Sequence, residues 1–587
     1  MPTAATQAID AWLAENTVPL NGCETGAGFD DLAPLRAWIG DARVIGLGEA
    51  THDTREFFQL KHRMFEFLVS ELDFTLFTIE APFAESLAVN RYVQTGEGDA
   101  RHSLTSMSFY CWDTEEVVEL IDWMRTWNAE HERKIFFYGC DIQTSSAAVV
   151  FLLDFLQRHD PATYSRVRNT LQPFALDMHA LDMRHRSHDD LVIMREAVAD
   201  VASGLSQLSG ETKEQRYELE IARLHTVVLA QNNALHFDSG LTHLQDVRDS
   251  AMADNVAALL ALHGPSAKAV VWGHNDHIAL QSSGWAGVTR PRLGQHLRER
   301  FGNDYLAFGF DFDHGTFGAL DQMRVMRECA VVSEPETLGS VLKNVDAPIF
   351  ALDLRDVPGH VADWFAQAPP ARCIGGMYYP GLNLDPWIRC DIRTQFDFLL
   401  FVRETSAARH NPDKPYQSEF FRDEIDAPDA FENLDFSLGT TDWRHAQGNL
   451  GYSVMTRACG DEDELEISRS TPFWPHDVFM LSQTASAHRW RGKQITVRCA
   501  VSMQADHHGS SAQLAVRVLE PANLQFDFEG RSGAQFVWKR DTTRSARTRE
   551  LAHTLGVSET ADILAIALVI TGDGRARFGP IRIDDGT

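Results

Sequence analysis

Between about residues 40 and 405, short apolar runs alternate with amphipathic stretches of helical period. The runs at 44–47, 74–79, 135–138, 269–272, 305–312, 349–354 and 396–402 are almost continuously apolar, as strands covered on both faces of a parallel sheet are. Alternation of such strands with helices predicts an α/β fold with a largely parallel sheet flanked by helices. From 142 to 266 helical periodicity takes over, clearest at 191–208 and 214–235, which predicts an inserted helical subdomain able to roof the sheet. After 405 the pattern changes again. Residues 406–432 are polar and dotted with Pro412, Pro415 and Pro428, as a linker is. Short strand candidates at 464–467, 478–481, 494–501, 512–518 and 563–570 then predict a β-sandwich, jelly-roll-like, over 433–587. The expected organisation is thus an α/β domain at 1–405, a linker and a C-terminal sandwich.

Four of the early strands stop on ionisable residues: Gly48-Glu49-Ala50-Thr51-His52, Glu80-Ala81-Pro82, Gly139-Cys140-Asp141 and Gly273-His274-Asn275-Asp276-His277. Ligands of open α/β sheets bind beyond the carboxyl ends of the strands, so Glu49, His52, Glu80, Asp141, His274 and His277 are expected around one crevice. Asp53 with Glu56 resembles a capping pair opening a helix to about residue 70. Its apolar stripe is Phe57, Leu60, Met64, Phe65 and Leu68; Lys61 falls within the stripe, Arg63 points away, and Arg55 lies in the first turn within reach of a substrate oxygen. A buried ammonium needs a carboxylate, and Glu80 is the expected partner; the alternative is that Lys61 snorkels to water.

Glu49 and His52 are close enough for the carboxylate to orient the imidazole, which suits His52 to take a proton from water. Structural satisfaction of the loop is the alternative. His274 and His277 suit binding of a developing oxyanion or leaving group. Two histidines and two glutamates also suit a divalent metal, although no H-E-x-x-H spacing is present, and no cofactor is expected. There is no G-x-S-x-G elbow, no Walker loop and no complete G-x-G-x-x-G, which argues against serine-nucleophile and nucleotide chemistry.

Composition narrows the partners. The net charge of −30, from 83 acidic and 53 basic side chains, disfavours nucleic acid and anionic membranes. The eight cysteines are scattered without a C-x-x-C pair, as buried thiols of a reducing compartment are. No signal peptide or membrane span is visible, so a cytoplasmic protein is expected.

The ordered series Gly48-Glu49-Ala50-Thr51-His52-x-Thr54-Arg55-Glu56-Phe57-Phe58, Ile79-Glu80-Ala81-Pro82, Trp112-x-Thr114-Glu115-Glu116, Gly139-x-Asp141-x-Gln143, Arg248-Asp249-x-x-Met252-Ala253-x-Asn255 and Trp272-x-His274-Asn275-x-His277 resembles the signature of the erythromycin esterase family. The resemblance runs from about 40 to 405. It implies hydrolysis of a carboxylic ester or lactone, macrolides among them, by an activated water without a covalent acyl-enzyme. By the same resemblance the general base falls on His52, supporting acids on Glu49 and Glu80, and further essential imidazoles on His274 and His277. A basic residue often arginine in the family falls on Lys61, which lacks arginine's planar two-point grip. Arg55 and Asp141 are the expected substrate-binding groups, and the partner is a small ester or lactone, glycosylated or not. Metal-dependent hydrolysis is one alternative.

The C-terminal region resembles jelly-roll carbohydrate-binding modules. Trp443, Trp474, Trp490 and Trp538 suit a sugar-stacking face, with ordinary core tryptophans as the competing explanation. The corresponding functional alternative is a glycan-associated acyl-ester hydrolase, or a polysaccharide binder with a degenerate core.

Overall fold

The computed structural model describes residues 4–585 except 27, 106, 108, 177–185, 238–240, 285–288, 321–325, 379–384, 411–427, 446–451, 460–461, 470–477, 505–509, 520–538, 562 and 572–573. Its first sheet is built from β1 (Thr17–Pro19), β2 (Val44–Leu47), β3 (Leu76–Pro82), β4 (Phe136–Asp141), β5 (Ala269–Trp272), β6 (Tyr305–Leu320), β7 (Met326–Val331) and β8 (Ile349–Asp353). After a small ribbon of β9 (Ala371–Arg372) and β10 (Trp387–Ile388) comes β11 (Phe398–Thr405), which joins the same sheet. The spatial order is β1-β8-β11-β6-β2-β5-β3-β4, with β7 paired to the extension of β6. Strands β11, β6, β2, β5, β3 and β4 run parallel to their neighbours in that row, whereas β8 is antiparallel to β11 and β1 to β8.

The apolar runs serve two cores at once. In β2 and β5, Ile45, Leu47, Val270 and Trp272 join one apolar cluster, and Val44, Ala269 and Val271 join the other. Alternate side chains leave opposite faces of a strand, so a strand packed on both faces must be apolar at every position. The ionisable residues begin where this demand ends, at the carboxyl edge. Gly48 sits there because a Cβ at this position would stand 2.2 Å from Asn275 Oδ1, which accepts from the Phe310 amide of β6 while the Asn275 amide donates to the Glu49 carbonyl.

The insertion is helical. Helices Ser146–His159, Pro161–Leu171, His188–Ser206 and Lys213–His236 enclose an apolar cluster of their own, and Leu241–His263 returns the chain to β5. Capping boxes at Ser187 with Asp190 and Thr212 with Gln215 start two of these helices.

Beyond residue 443 the described strands form two five-stranded antiparallel sheets around one apolar cluster, a β-sandwich. Each of the five expected strand candidates lies inside an observed strand. Among the additional strands, Arg549–Gly556 and Arg575–Asp584 carry charged residues at exposed positions that hide their inner alternation, whereas Tyr452–Cys459 is exposed along nearly all of its described length and offers no alternation to read. Trp443 and Trp490 are 5% and 2% exposed and pack against Phe436 and Phe431, so they are core residues and not a sugar-stacking face. Trp474 and Trp538 lie outside the described residues.

The chain also stays on the first domain longer than its composition suggests. Residues 406–410 lie against the amino ends of two helices of that domain through bridges Thr54 to Ala407 and Thr114 to His410. No described helix is long and apolar enough to cross a membrane, and all eight cysteines are free.

Candidate active site

The loop after β2 and the helix Arg55–Leu72 build the first half of the site. Glu49 is fully buried, and its carboxylate is held on three sides. His52 Nδ1 lies 2.8 Å from Glu49 Oε1, the Trp272 indole N–H donates to Oε2 at 2.7 Å, and the Lys61 ammonium donates to the same oxygen. Lys61 is inward, as its place in the stripe predicts, but its partner is Glu49 and not Glu80. Its ammonium also stands 4.2 Å from the centre of the Trp272 ring. Burial pulls the Lys61 pKa down to about 8, against the opposing pull of Glu49. Snorkelling is ruled out by an exposure of 0%. Arg63 is buried too, contrary to expectation, because Gly22, Gly28 and Asp31 lie over the helix, where the two glycine carbonyls and the Asp31 carboxylate accept from its guanidinium.

The second half forms at the ends of β3, β4 and β5 around an arginine from the insertion. Arg248, on the helix Leu241–His263, donates to Glu80 Oε1 at 2.7 Å and to Asp141 Oδ2 at 2.7 Å. Its Nη1 lies 3.1 Å from His277 Nε2, and that nitrogen is 3.3 Å from Glu80 Oε1. On the other ring nitrogen, His277 Nδ1 meets Asp249 Oδ1 at 2.5 Å; Asp249 also accepts from the Leu293 amide and faces Arg292. Burial disfavours a charged His277, but Asp249 and Glu80 outweigh it and hold its pKa above the ordinary imidazole value. Asp141 accepts from Arg248, Gln143 and the Ile142 amide. That saturated, fully buried carboxylate anchors Arg248 and has no face for substrate, which corrects the expected binding role.

His274 connects the two halves. Its ring centre is 4.8 Å from that of His52, and its backbone N–H donates to Glu80 Oε2 at 2.9 Å. The ring is engaged at both nitrogens: Nδ1 accepts from the Asp276 amide at 3.3 Å and Nε2 donates to the Ile374 carbonyl at 3.1 Å. Burial pushes its pKa well below the ordinary value, with the nearby His52 adding to the effect. A neutral imidazole so tethered is a strut, not a donor to a substrate oxygen, and the expected oxyanion role does not suit it. Trp112 completes this wall, edge-on to His52 and donating its indole N–H to the Glu80 carbonyl at 3.1 Å.

Glu49, His52, Lys61, Glu80, Asp141, His274 and His277 therefore share one carboxyl-edge site. Arg55 does not join it; it turns to Glu116 at 3.6 Å. Arg248 and Asp249 were visible in the motif series but carried no role there, because an arginine in a helical insertion shows no strand end to place it. Glu49 and Lys61 are 0% exposed, whereas His52 is 17% exposed, more than Arg248 at 12% or His277 at 9%.

Glu80 carries a pH signature. Burial alone raises its pKa, but His277, Arg248, His52 and the His274 amide outweigh burial and hold it well below the ordinary 4.5. A carboxylate lowered on folding adds stability that is complete above its unfolded value and is lost as pH falls through the folded one. Glu80→Gln is thus expected to flatten the loss of stability below pH 4.5. Urea unfolding of both proteins over roughly pH 3 to 6 checks this, and parallel curves would refute it.

The donor set does not suit a metal. The position between Glu80 and Asp141 is filled by the Arg248 guanidinium, Glu49 is neutralised by Lys61, and both His274 nitrogens are committed. Among the described residues no group of three or more His, Cys, Asp or Glu side chains is arranged to hold an ion.

Comparison with known proteins agrees with this architecture. Erythromycin esterase type II of Escherichia coli is 25% identical over 334 residues, covering 53% of this chain and 78% of that protein. A Bacillus cereus protein of known crystal structure superposes with a TM-score of 0.64 at 23% identity, covering 70% of this chain and all of that one. An erythromycin esterase mutant in its open conformation superposes with a TM-score of 0.51 at 16% identity, over 66% of this chain and 96% of that one; both likenesses concern the fold. The model of the family described as erythromycin esterase matches residues 69–405, more than half of the 587 residues. The chain belongs to the erythromycin esterase family.

Proposed function

We propose that this protein hydrolyses a carboxylic ester or lactone with a water activated by His52, without a covalent acyl-enzyme. The observation that carries the proposal is the Glu49–His52 pair: a buried, fully bonded carboxylate holds Nδ1 of the site's most exposed ionisable side chain. With its proton on Nδ1, His52 presents Nε2 as the basic nitrogen. Water attacks the ester carbonyl carbon as its proton passes to Nε2. The tetrahedral oxyanion collapses, the C–O bond to the leaving alkoxide breaks, and the imidazolium returns the proton to that oxygen. Glu49 orients the ring through Nδ1, and Lys61 and Trp272 keep that carboxylate in place.

Arg248, a permanent cation whose side chain is 12% exposed, suits stabilisation of the oxyanion better than the neutral His274, which is 2% exposed. Water is favoured over a thiol nucleophile, since the nearby Cys111 has its pKa pushed well up by burial and by Glu49 and Glu80. The test is a panel of macrolides, simple lactones and acylated sugars incubated with the protein in ¹⁸O-labelled water. The expected product gains one water carrying one labelled oxygen, and no acyl-protein adduct appears in a mass spectrum taken during turnover. A trapped adduct defeats the direct-water mechanism, and a uniformly unhydrolysed panel defeats the esterase assignment.

A further inference from the structure

Residues 406–410 make a repeated set of bonds. The Ser406 carbonyl accepts from the Arg55 amide at 2.9 Å, and the Arg409 carbonyl accepts from the Glu115 amide at 2.8 Å. In return, the Ser406 amide donates to Glu56 at 2.7 Å and the Arg409 amide donates to Glu116 at 3.1 Å. The same reciprocal pattern thus closes the first turns of two helices, Arg55–Leu72 and Glu115–Glu130, with one short length of chain. Helix amino ends carry amides without intrahelical partners, and Thr54 makes no side-chain cap for the first helix, so this segment satisfies what the helix itself leaves open. The expected Asp53 cap is absent because Asp53 is turned the other way, buried and paired with His410 Nε2.

Both helices follow directly on the site. The first begins three residues after His52 and carries Lys61; the second follows Trp112, which borders His52 and bonds to Glu80. Asp53 adjoins His52 in sequence, and its backbone carbonyl accepts from Gly318 at 2.8 Å. A Cβ at residue 318 would stand 1.7 Å from Asp53 Oδ2, so β6 is cut back to glycine where this carboxylate passes. Glu49, Glu116 and Asp113 are the other charged groups facing the Asp53–His410 pair.

We propose that the strap 406–410 belongs to the catalytic domain and that His410, through Asp53, is a positioning residue that fixes the His52 loop against the Trp112 wall. The strap begins one residue beyond the stretch that matches the family model. The proposal rests on His52 being the working base, and its test separates the two claims. In the 587-residue chain, His410→Ala is expected to lower kcat for 4-nitrophenyl acetate by about tenfold or more with KM within about twofold, as loss of alignment does. It should also displace the His52 imidazole C–H resonances in an NMR spectrum taken without substrate. His410→Gln, which keeps a side-chain N–H for Asp53, should restore most of the rate.

Arg409→Ala removes only the outer, half-exposed anchor on Glu116 and Glu119 and is expected to lower kcat about threefold; it decides the matter should His410→Ala not fold. Unchanged kcat in these variants together with unmoved His52 resonances overturns the strap. A rate loss that His410→Gln does not rescue overturns the Asp53–His410 assignment. If the parent does not hydrolyse esters, the His52 resonances alone judge the strap, while the esterase proposal falls on its own.

Discussion

His52→Ala is expected to lower kcat for ester hydrolysis by about 10²- to 10⁴-fold, the range that a positioned general base supplies. The loss should appear in kcat more than in KM, because the imidazole takes its proton in the transition state and makes no contact demanded of the bound ester. The fold should survive. His52 stands at the rim with part of its ring exposed, and Glu49 keeps Lys61 and the Trp272 indole when the imidazole is gone. Stability is therefore expected to fall by about 1.5–3 kcal/mol, one lost hydrogen bond to a charged group. Steady-state kinetics beside urea unfolding checks both halves. A variant that keeps the parental rate removes His52 from the mechanism.

Arg248→Met is expected to have the largest effect on stability, about 3–5 kcal/mol, the cost of breaking a buried ion network from one side. The guanidinium bonds both Glu80 and Asp141, and each carboxylate is almost or wholly buried. With a thioether in its place, two buried anions must protonate or draw in water, and Glu80 is left with His277 and the His274 amide. Arg248→Lys should recover only part of the loss, since an ammonium cannot reproduce the fork that reaches Asp141 through Nε and Nη2 while bonding Glu80. Adding Asp141→Asn to Arg248→Met should return part of the stability by removing one uncompensated charge. Chemical denaturation of the four proteins measures this, and a cost below about 1 kcal/mol for Arg248→Met would show that the network does not hold the insertion to the sheet.

The two variants probe different halves of one site, and they differ in how visible their residues are in the chain. His52 follows an apolar run and a glycine, three residues after a glutamate, and such punctuation marks a strand end facing a crevice. Arg248 sits in a long helix between Leu241 and His263, where nothing local distinguishes an arginine that reaches a buried carboxylate from one that meets water. Lys61 was legible in part. Helical period placed it inward, but the choice between Glu49 and Glu80 depended on how far each strand end extends, and Glu80 was already taken by Arg248. His274 shows the same limit. Its position was apparent from the strand before it, whereas its commitment to Ile374 comes from a loop 100 residues on.

The sequence by itself determined the α/β sheet, the helical insertion, the sandwich and the gathering of Glu49, His52, Glu80 and the histidine pair at one edge. These follow from periodicity and from the fixed direction of parallel strands, both of which are properties of short segments. Only the tertiary structure decided which charge pairs with which, that Asp141 anchors and does not bind, that Trp443 and Trp490 are core, and that 406–410 returns to strap the His52 loop. Each of these depends on distances between segments far apart in the chain. A buried charge takes whichever partner the packing brings nearest, and no local pattern records that competition.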